Sequence, residues 1–215
     1  RSLLYPRGKI LGGCSSINGM LYLRGQAADY DHWRQLGLLG WGWDDVLPYF
    51  KKSEDYVDGA SEYHGAGGEW RVERQRLHWP VLDDWLRAAI NAGIPPVDDF
   101  NTGDNEGVGY FKVNQRSGWR SNMAGSFLRT IKNKDNLYLK THAQTQRVIV
   151  KQNHAVGVEY QQGATSKTAY ARAEVILCAG AIGSPHLLQL SGIGPAQHLQ
   201  AHGVEVLHHS PEIGA

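Results

Sequence analysis

GGCSSINGM, residues Gly12 to Met20, sets three glycines, two serines and a cysteine within nine positions. Glycines let a backbone approach a ligand closely, and successive N–H groups beside serine hydroxyls can hold an oxyanion. The spacing is neither G-x-G-x-x-G nor G-x-x-x-x-G-K-[ST], and it lacks the G-x-S-x-G of a nucleophile elbow. On its residues alone the stretch fits an anion cradle or an ordinary tight turn. A catalytic Cys14 would need a histidine partner that sequence cannot place.

The surrounding chain has 215 residues, 41% of them hydrophobic and 20% charged, enough for a sizeable core in one large domain or two small ones. Twenty-two basic against 21 acidic side chains leave a formal charge of +1 with no Lys/Arg stripe, so a nucleic-acid partner is not indicated. No apolar run reaches the roughly 18 residues of a membrane span, and the N-terminal stretch lacks signal-peptide character. The start at Arg1 and the end at PEIGA suggest a segment of something longer. Cys14 and Cys178 form no C-x-x-C pair and are expected to be small buried or half-buried thiols.

Punctuation places the elements. AADYDHWRQLG predicts a helix stopped by Gly37, and WGWDDVLPYFKKSEDY a second one capped by Asp44 or Asp45, with Pro48 tolerated near its first turn. EWRVER alternates as a strand, and VLDDWLRAAINAGIP has apolar residues at helical spacing with Gly93 and Pro95 as its stop. Residues 119 to 131 predict a helix capped by Ser121 or Asn122. NLYLKT, TQRVIVK and AVGVEYQ predict a meander of three strands. VILCA resembles a strand buried on both faces, followed by Gly180 and a helix that Ser184 and Pro185 would open and Gly192 close. Pro195 and Gly203 bracket a last short helix.

Other constellations favour packing over chemistry. His198 and His202 share a helix face at i, i+4, but Leu199 stands where a zinc-protease pattern needs glutamate, so no metal is assigned. Trp33, Trp41, Trp43 and Trp85 fall in amphipathic patterns and are expected in the core. Asp98, Asp99 and Asp104 are expected to be turn formers.

PRGKILGGCSSINGMLYLRGQAADYDHW, GWGWDDVLPYFKKSE and AGAIGSPHLLQLSGIGP, in that order, resemble the glucose-methanol-choline (GMC) family of flavin-dependent alcohol oxidoreductases over nearly the whole chain. Cys14 departs from the family's usual serine, threonine or glycine, with a thiol as a weaker donor. The resemblance implies a mixed α/β fold: part of a dinucleotide-type FAD-binding domain over residues 1–56 and 117–215, and part of an antiparallel-sheet substrate domain over 57–116. It implies FAD as cofactor and a small-molecule alcohol as substrate, oxidised to an aldehyde or ketone by hydride transfer to flavin N5, with the electron acceptor unspecified. By the same resemblance Gly12, Gly13 and Ser15 lie along the pyrophosphate and ribityl side, and Asn18, Gly19, Met20 and Leu21 pass the flavin ring. Thr145 contacts adenine through its main chain, and Ala179 and Gly180 lie near the adenosine. The family's dinucleotide fingerprint and catalytic histidine are expected outside this segment, so no catalytic residue is named and the segment alone is expected neither to turn over nor to hold FAD tightly. Competing expectations are the same fold without redox turnover, as a lyase or flavin-binding relic, and a non-catalytic small-molecule-binding fragment.

Overall fold

Two aspartates open the first helices. Asp29 Oδ2 accepts the N–H of Gln26 at 2.8 Å, and Asp45 Oδ2 that of Gly42 at 3.0 Å, which fixes the starts of α1 (Ala27–Gln35) and α2 (Trp43–Ser53). Gly37, at φ 96°, follows α1 as expected. Pro48 sits in the second turn of α2, later than expected; the carbonyl it leaves unpaired belongs to Asp44, an exposed residue that water can serve. The computed structural model describes residues 2–214, in two units that adjoin in sequence at Leu137 and Tyr138.

In the first unit β1 (Glu54–Tyr56) runs parallel to β2 (Trp70–Arg74), the expected EWRVER strand. Helix α3 (Pro80–Asn91) takes proline in its first turn and ends before Gly93. Strand β3 (Lys112–Val113) pairs antiparallel with β2, and Val113 bridges to Leu21, so the end of the glycine-rich loop is stitched to the sheet. Tyr22, Tyr56 and Val72 form the small core under it, with Trp70 edge-on to Tyr22 at 5.4 Å.

The helix expected over 119–131 is shorter. Trp119 and Arg120 form β5, which pairs with β4 (Gln115–Arg116) through a turn at Ser117 and Gly118, both at positive φ. Helical structure begins as a π-turn (Ala124–Leu128) and runs into α4 (Arg129–Ile131); Asn122 Oδ1 accepts the N–H of Gly125 at 2.7 Å, the expected capping role.

The second unit is a meander displaced by one strand from expectation. β6 (Ala143–Lys151), β7 (His154–Gln162) and β8 (Thr165–Tyr170) pair antiparallel in that order, with Gln152 and Asn153 at positive φ turning the first hairpin. NLYLKT forms no strand, and VILCA is neither a strand nor buried on both faces, Ile176 being 73% exposed. A strand exists only through ladder partners, and neither segment pairs with another among the described residues. Helix α5 (Gly180–Leu190) starts a turn before Ser184, whose hydroxyl reaches back to accept the N–H of Ala179 at 3.0 Å, and Gly192 follows its end at φ 83°. β9 (Ile193–Gly194) and β10 (His208–His209) pair around α6 (Ala196–Ala201), the helix expected between Pro195 and Gly203.

Of the tryptophans expected in the core, only Trp43 is buried; Trp33, Trp41 and Trp85 are 42%, 54% and 66% exposed. Cys178 is exposed rather than half-buried, while Cys14 is partly covered, with its Sγ accepting the N–H of Gly8 at 3.5 Å.

Candidate functional site

Residues 12 to 21 form a braced loop with an open face. Gly12 and Gly13 adopt φ of 90° and 54° and lead into a 3-10 turn (Gly13–Ser16). Ser15 Oγ donates to Gly12 O at 2.5 Å and accepts the N–H of Met123 at 3.0 Å, and Asn122 Nδ2 donates to Ser16 Oγ at 3.1 Å. Arg120 Nη1 donates to the carbonyls of Ser15, at 3.3 Å, and Asn18. A Cβ on Gly12 would come within 2.8 Å of Ser16 Oγ, whereas one on Gly13 or Gly19 would meet nothing within 4 Å. The tight inner side is therefore packed on the 120–124 segment, and Gly13, Asn18 and Gly19 face open space. Met20, at φ 66°, then turns the chain so that its carbonyl accepts the N–H of Asn114 at 2.7 Å. Leu21 lines an apolar cavity of about 230 Å³ with Leu82, Trp85, Val108, Tyr110 and Phe111.

Beneath this loop lies a buried ion cluster that sequence reading misses. Arg24 Nη2 donates to Glu54 Oε2 at 3.0 Å, His64 Nδ1 lies 3.0 Å from both Glu54 oxygens, and His64 Nε2 lies 2.5 Å from Asp99 Oδ2. Glu54 is fully buried and His64 is 3% exposed. Both ring nitrogens face carboxylates, so both must donate and the ring is an imidazolium. Burial opposes its charge, but the hydrogen bonds to Asp99 and Glu54 outweigh burial and raise its pKa. Asp99 shows the counterpart: burial would raise it, yet the His64 ring and the Asn101 N–H bring it down to about 2. Two positive and two negative groups balance, and the Tyr56 ring stacks on His64 at 3.6 Å. Burial this deep keeps His64 from any substrate, so the cluster shapes the unit instead of reacting.

Asp99 is thus more than the turn former expected, although its Oδ1 also accepts the Asn101 N–H at 2.9 Å; Asp104, accepting from Glu106 N–H, is the expected turn residue. Nothing in local spacing signals a cluster whose members run from Arg24 to Asp99.

In the second unit Thr145 stands on β6 opposite Tyr160, next to a bulge at Gln146. β6 is an edge strand, so one row of its main-chain groups faces away from the ladder. Ala179 caps α5 and Gly180 opens it at φ 85°, both exposed. His198 and His202 lie with ring centroids 4.5 Å apart, and among the described residues no group of three or more His, Cys, Asp or Glu side chains is placed to hold a metal ion. No helix of the described residues is long and apolar enough to cross a membrane.

A family model described as GMC oxidoreductase matches residues 1–215. The chain belongs to the GMC oxidoreductase family. GMC relatives include the oxygen-dependent choline dehydrogenases of Brucella ovis, 42% identical over 214 residues, and Photobacterium profundum, 40% identical over 217; this chain is covered fully and spans 39% and 38% of their lengths. Among solved structures, pyridoxine 4-oxidase from Mesorbium loti superposes with a TM-score of 0.89 at 33% identity, over 95% of this chain and 41% of that one. An FAD-dependent oxidoreductase from Chaetomium thermophilum gives 0.89 at 31% identity, over 95% and 38%. The mixed α/β architecture is accordingly that of part of a GMC oxidoreductase.

Proposed function

We propose that this chain is the part of an FAD-dependent oxidoreductase that presents the flavin-facing loop, in a protein that oxidises the CH–OH group of a small-molecule alcohol to an aldehyde or ketone. The observation that carries the reading is the open face of residues 12 to 19. Gly13 and Gly19 offer bare backbone to open space, and the Asn18 side chain and the Gly19 N–H have no hydrogen-bond partner among the described residues. At the base of the loop the buried Nδ2 of Asn114 is likewise without a partner, an orphaned donor of the kind a bound polar group or an ordered water satisfies. The Asn18 amide and the Gly19 N–H, both on the exposed face, fit the polar edge of a flavin.

FAD, when bound, supplies the hydride acceptor at its N5. The chain's own part is to bind and orient. Asn18 offers an amide that can donate and accept, Gly19 permits close approach, and Met20 and Leu21 carry the chain past the ring. Gly13 presents bare backbone to the ribityl and pyrophosphate side, and Gly12 and Ser15, whose carbonyls and serine hydroxyl are taken up within the loop and by Met123 and Arg120, shape that side from behind. In the second unit Thr145 contributes main-chain groups on an edge strand, and Gly180 the N–H that opens α5, toward adenosine, with Ala179 beside it and its own N–H held by Ser184 Oγ. The domain reading assigns 1–56 and 117–215 to the FAD part and 57–116 to the substrate part. The substrate is an alcohol, for which the choline dehydrogenase relatives make choline the first to test.

The test uses the full-length protein that carries this chain. Anaerobic addition of choline and other alcohols should bleach its visible flavin band, and Asn18→Ala should weaken FAD binding about tenfold, as loss of one or two hydrogen bonds implies, with tryptophan-monitored melting unchanged. A protein that purifies without flavin, takes none up, or keeps an unchanged spectrum across alcohol classes refutes the proposal.

A further inference from the structure

Arg120 joins two parts of the first unit that are far apart in sequence. It sits on β5, opposite Gln115 in the hairpin whose turn is Ser117–Gly118. That hairpin is anchored on β2: Gln115 Nε2 donates to Arg74 O at 2.8 Å, and the Glu73 carboxylate accepts the N–H of Ser117 at 3.1 Å while pairing with Arg71 at 3.2 Å. From this fixed base one guanidinium nitrogen, Nη1, gathers the carbonyls of Ser15 and Asn18.

A trans peptide holds its C=O and the following N–H on opposite sides. Drawing the Asn18 carbonyl to Arg120 therefore aims the Gly19 N–H away from Arg120, and that N–H has no acceptor among the described residues. Asn122 and the Met123 N–H hold the two serine hydroxyls on the same inner side, so the loop is clamped from one segment and left bare on its outer face.

We propose that Arg120 is a positioning residue for the flavin-facing loop, setting the Asn18–Gly19 peptide so that its N–H and the Asn18 side chain are presented to the cofactor. This rests on the flavin reading of the loop. A guanidinium suits the task because it stays protonated and holds the two N–H groups of Nη1 in one fixed plane, one for each carbonyl. Lysine keeps the charge and enough donors for both carbonyls, but on a flexible stem with no fixed donor plane.

The experiment compares wild type with Arg120→Ala and Arg120→Lys, by amide hydrogen exchange without cofactor and by visible spectroscopy of the flavin-loaded full-length protein. Arg120→Ala should speed exchange at Ser15, Ile17 and Asn18, whose amides close the 3-10 turn, about tenfold or more, consistent with loss of charge-assisted bonds. Amides of β1 and β2 should hold their rates. Arg120→Ala should also shift the flavin absorption bands, and Arg120→Lys should recover most of both effects. Loop exchange within twofold of wild type, or a rise spread evenly over the first unit, overturns the proposal while leaving flavin binding intact. A wild-type protein that binds no flavin instead overturns the cofactor reading on which it rests.

Discussion

Replacing His64 by phenylalanine is the sharpest test of the buried cluster. The substitution keeps an aromatic ring against Tyr56 but removes the two ring nitrogens that bridge Glu54 and Asp99. Breaking a buried ion pair by deleting one partner costs about 3–5 kcal/mol. Here Glu54 retains Arg24 at 3.0 Å and the Gly65 N–H at 2.8 Å, and the Asp99 side chain is 18% exposed, so the lower end applies, about 3 kcal/mol. The pH dependence follows from the raised His64 pKa. Above its ordinary 6.5 the unfolded chain releases the proton while the folded unit keeps it, so the stabilisation is complete below pH 6.5 and fades as pH climbs through the folded value. The slope approaches about 1.4 kcal/mol per pH unit within that window. Asp99 works in the other direction: its contribution is present above its ordinary 3.8 and is lost as pH falls toward about 2. All seven tryptophans of this chain precede residue 138, so urea unfolding of this 215-residue chain followed by tryptophan fluorescence reports on the first unit. Wild type should lose stability from pH 7 to 9, and His64→Phe should be weaker at pH 7 and flatter over that range. A variant within about 1 kcal/mol of wild type, or one that keeps the wild-type slope, refutes the imidazolium assignment.

Backbone crowding and a buried hydroxyl give two more tests. A Cβ at Gly65 would lie 1.8 Å from Lys51 O, so Gly65→Ala must displace main chain and should destabilise the first unit by at least about 2 kcal/mol in the same fluorescence assay; an unchanged urea midpoint would show that this approach is not fixed. In the second unit the buried Ser191 Oγ accepts the Val148 N–H at 2.8 Å and donates to Leu187 O at 2.5 Å, tying α5 to β6. Ser191→Ala should speed amide exchange at Val148 about tenfold, the equivalent of an unsatisfied buried donor, and equal exchange in the two proteins would remove the serine from that role.

Legibility tracked how local the determinant was. α1, α2 and α3 could be read because their start signals lie within four residues of where they act, such as Asp45 on Gly42 or proline opening α3. The TQRVIVK and AVGVEYQ hairpin was legible for the same reason, its turn residues lying between its strands. NLYLKT and VILCA carry the same β-compatible side chains but pair with nothing described, whereas the polar TSKTAY, which has no inward-facing apolar pattern, became β8 because β7 offered it an edge. Trp33 and Trp85 stand on α1 and α3 as their spacing implies, and Trp41 lies just before α2; periodicity names a helix face and says nothing about what covers it.

The loop shows the same division inside a single site. Its composition is local, so Gly12, Gly13, Asn18 and Gly19 stand out on their own, and only their order among the other family-like segments supports the proposal that an ambiguous turn faces a flavin. Its shape is not local. Arg120 reaches Asn18 from 102 residues away, Asn101 reaches Arg24 from 77, and each holds a main-chain group that the nearby sequence leaves without a partner. A glycine-rich loop is costly to order because its residues lose the most conformational freedom. Charge-assisted bonds from a rigid hairpin offset that cost before any ligand arrives, so the loop can be rich in glycine on its open face and still be preorganised. The residues that make the loop recognisable and the residues that make it usable are therefore different sets, and substitutions in the second set should spare the family pattern while spoiling the site.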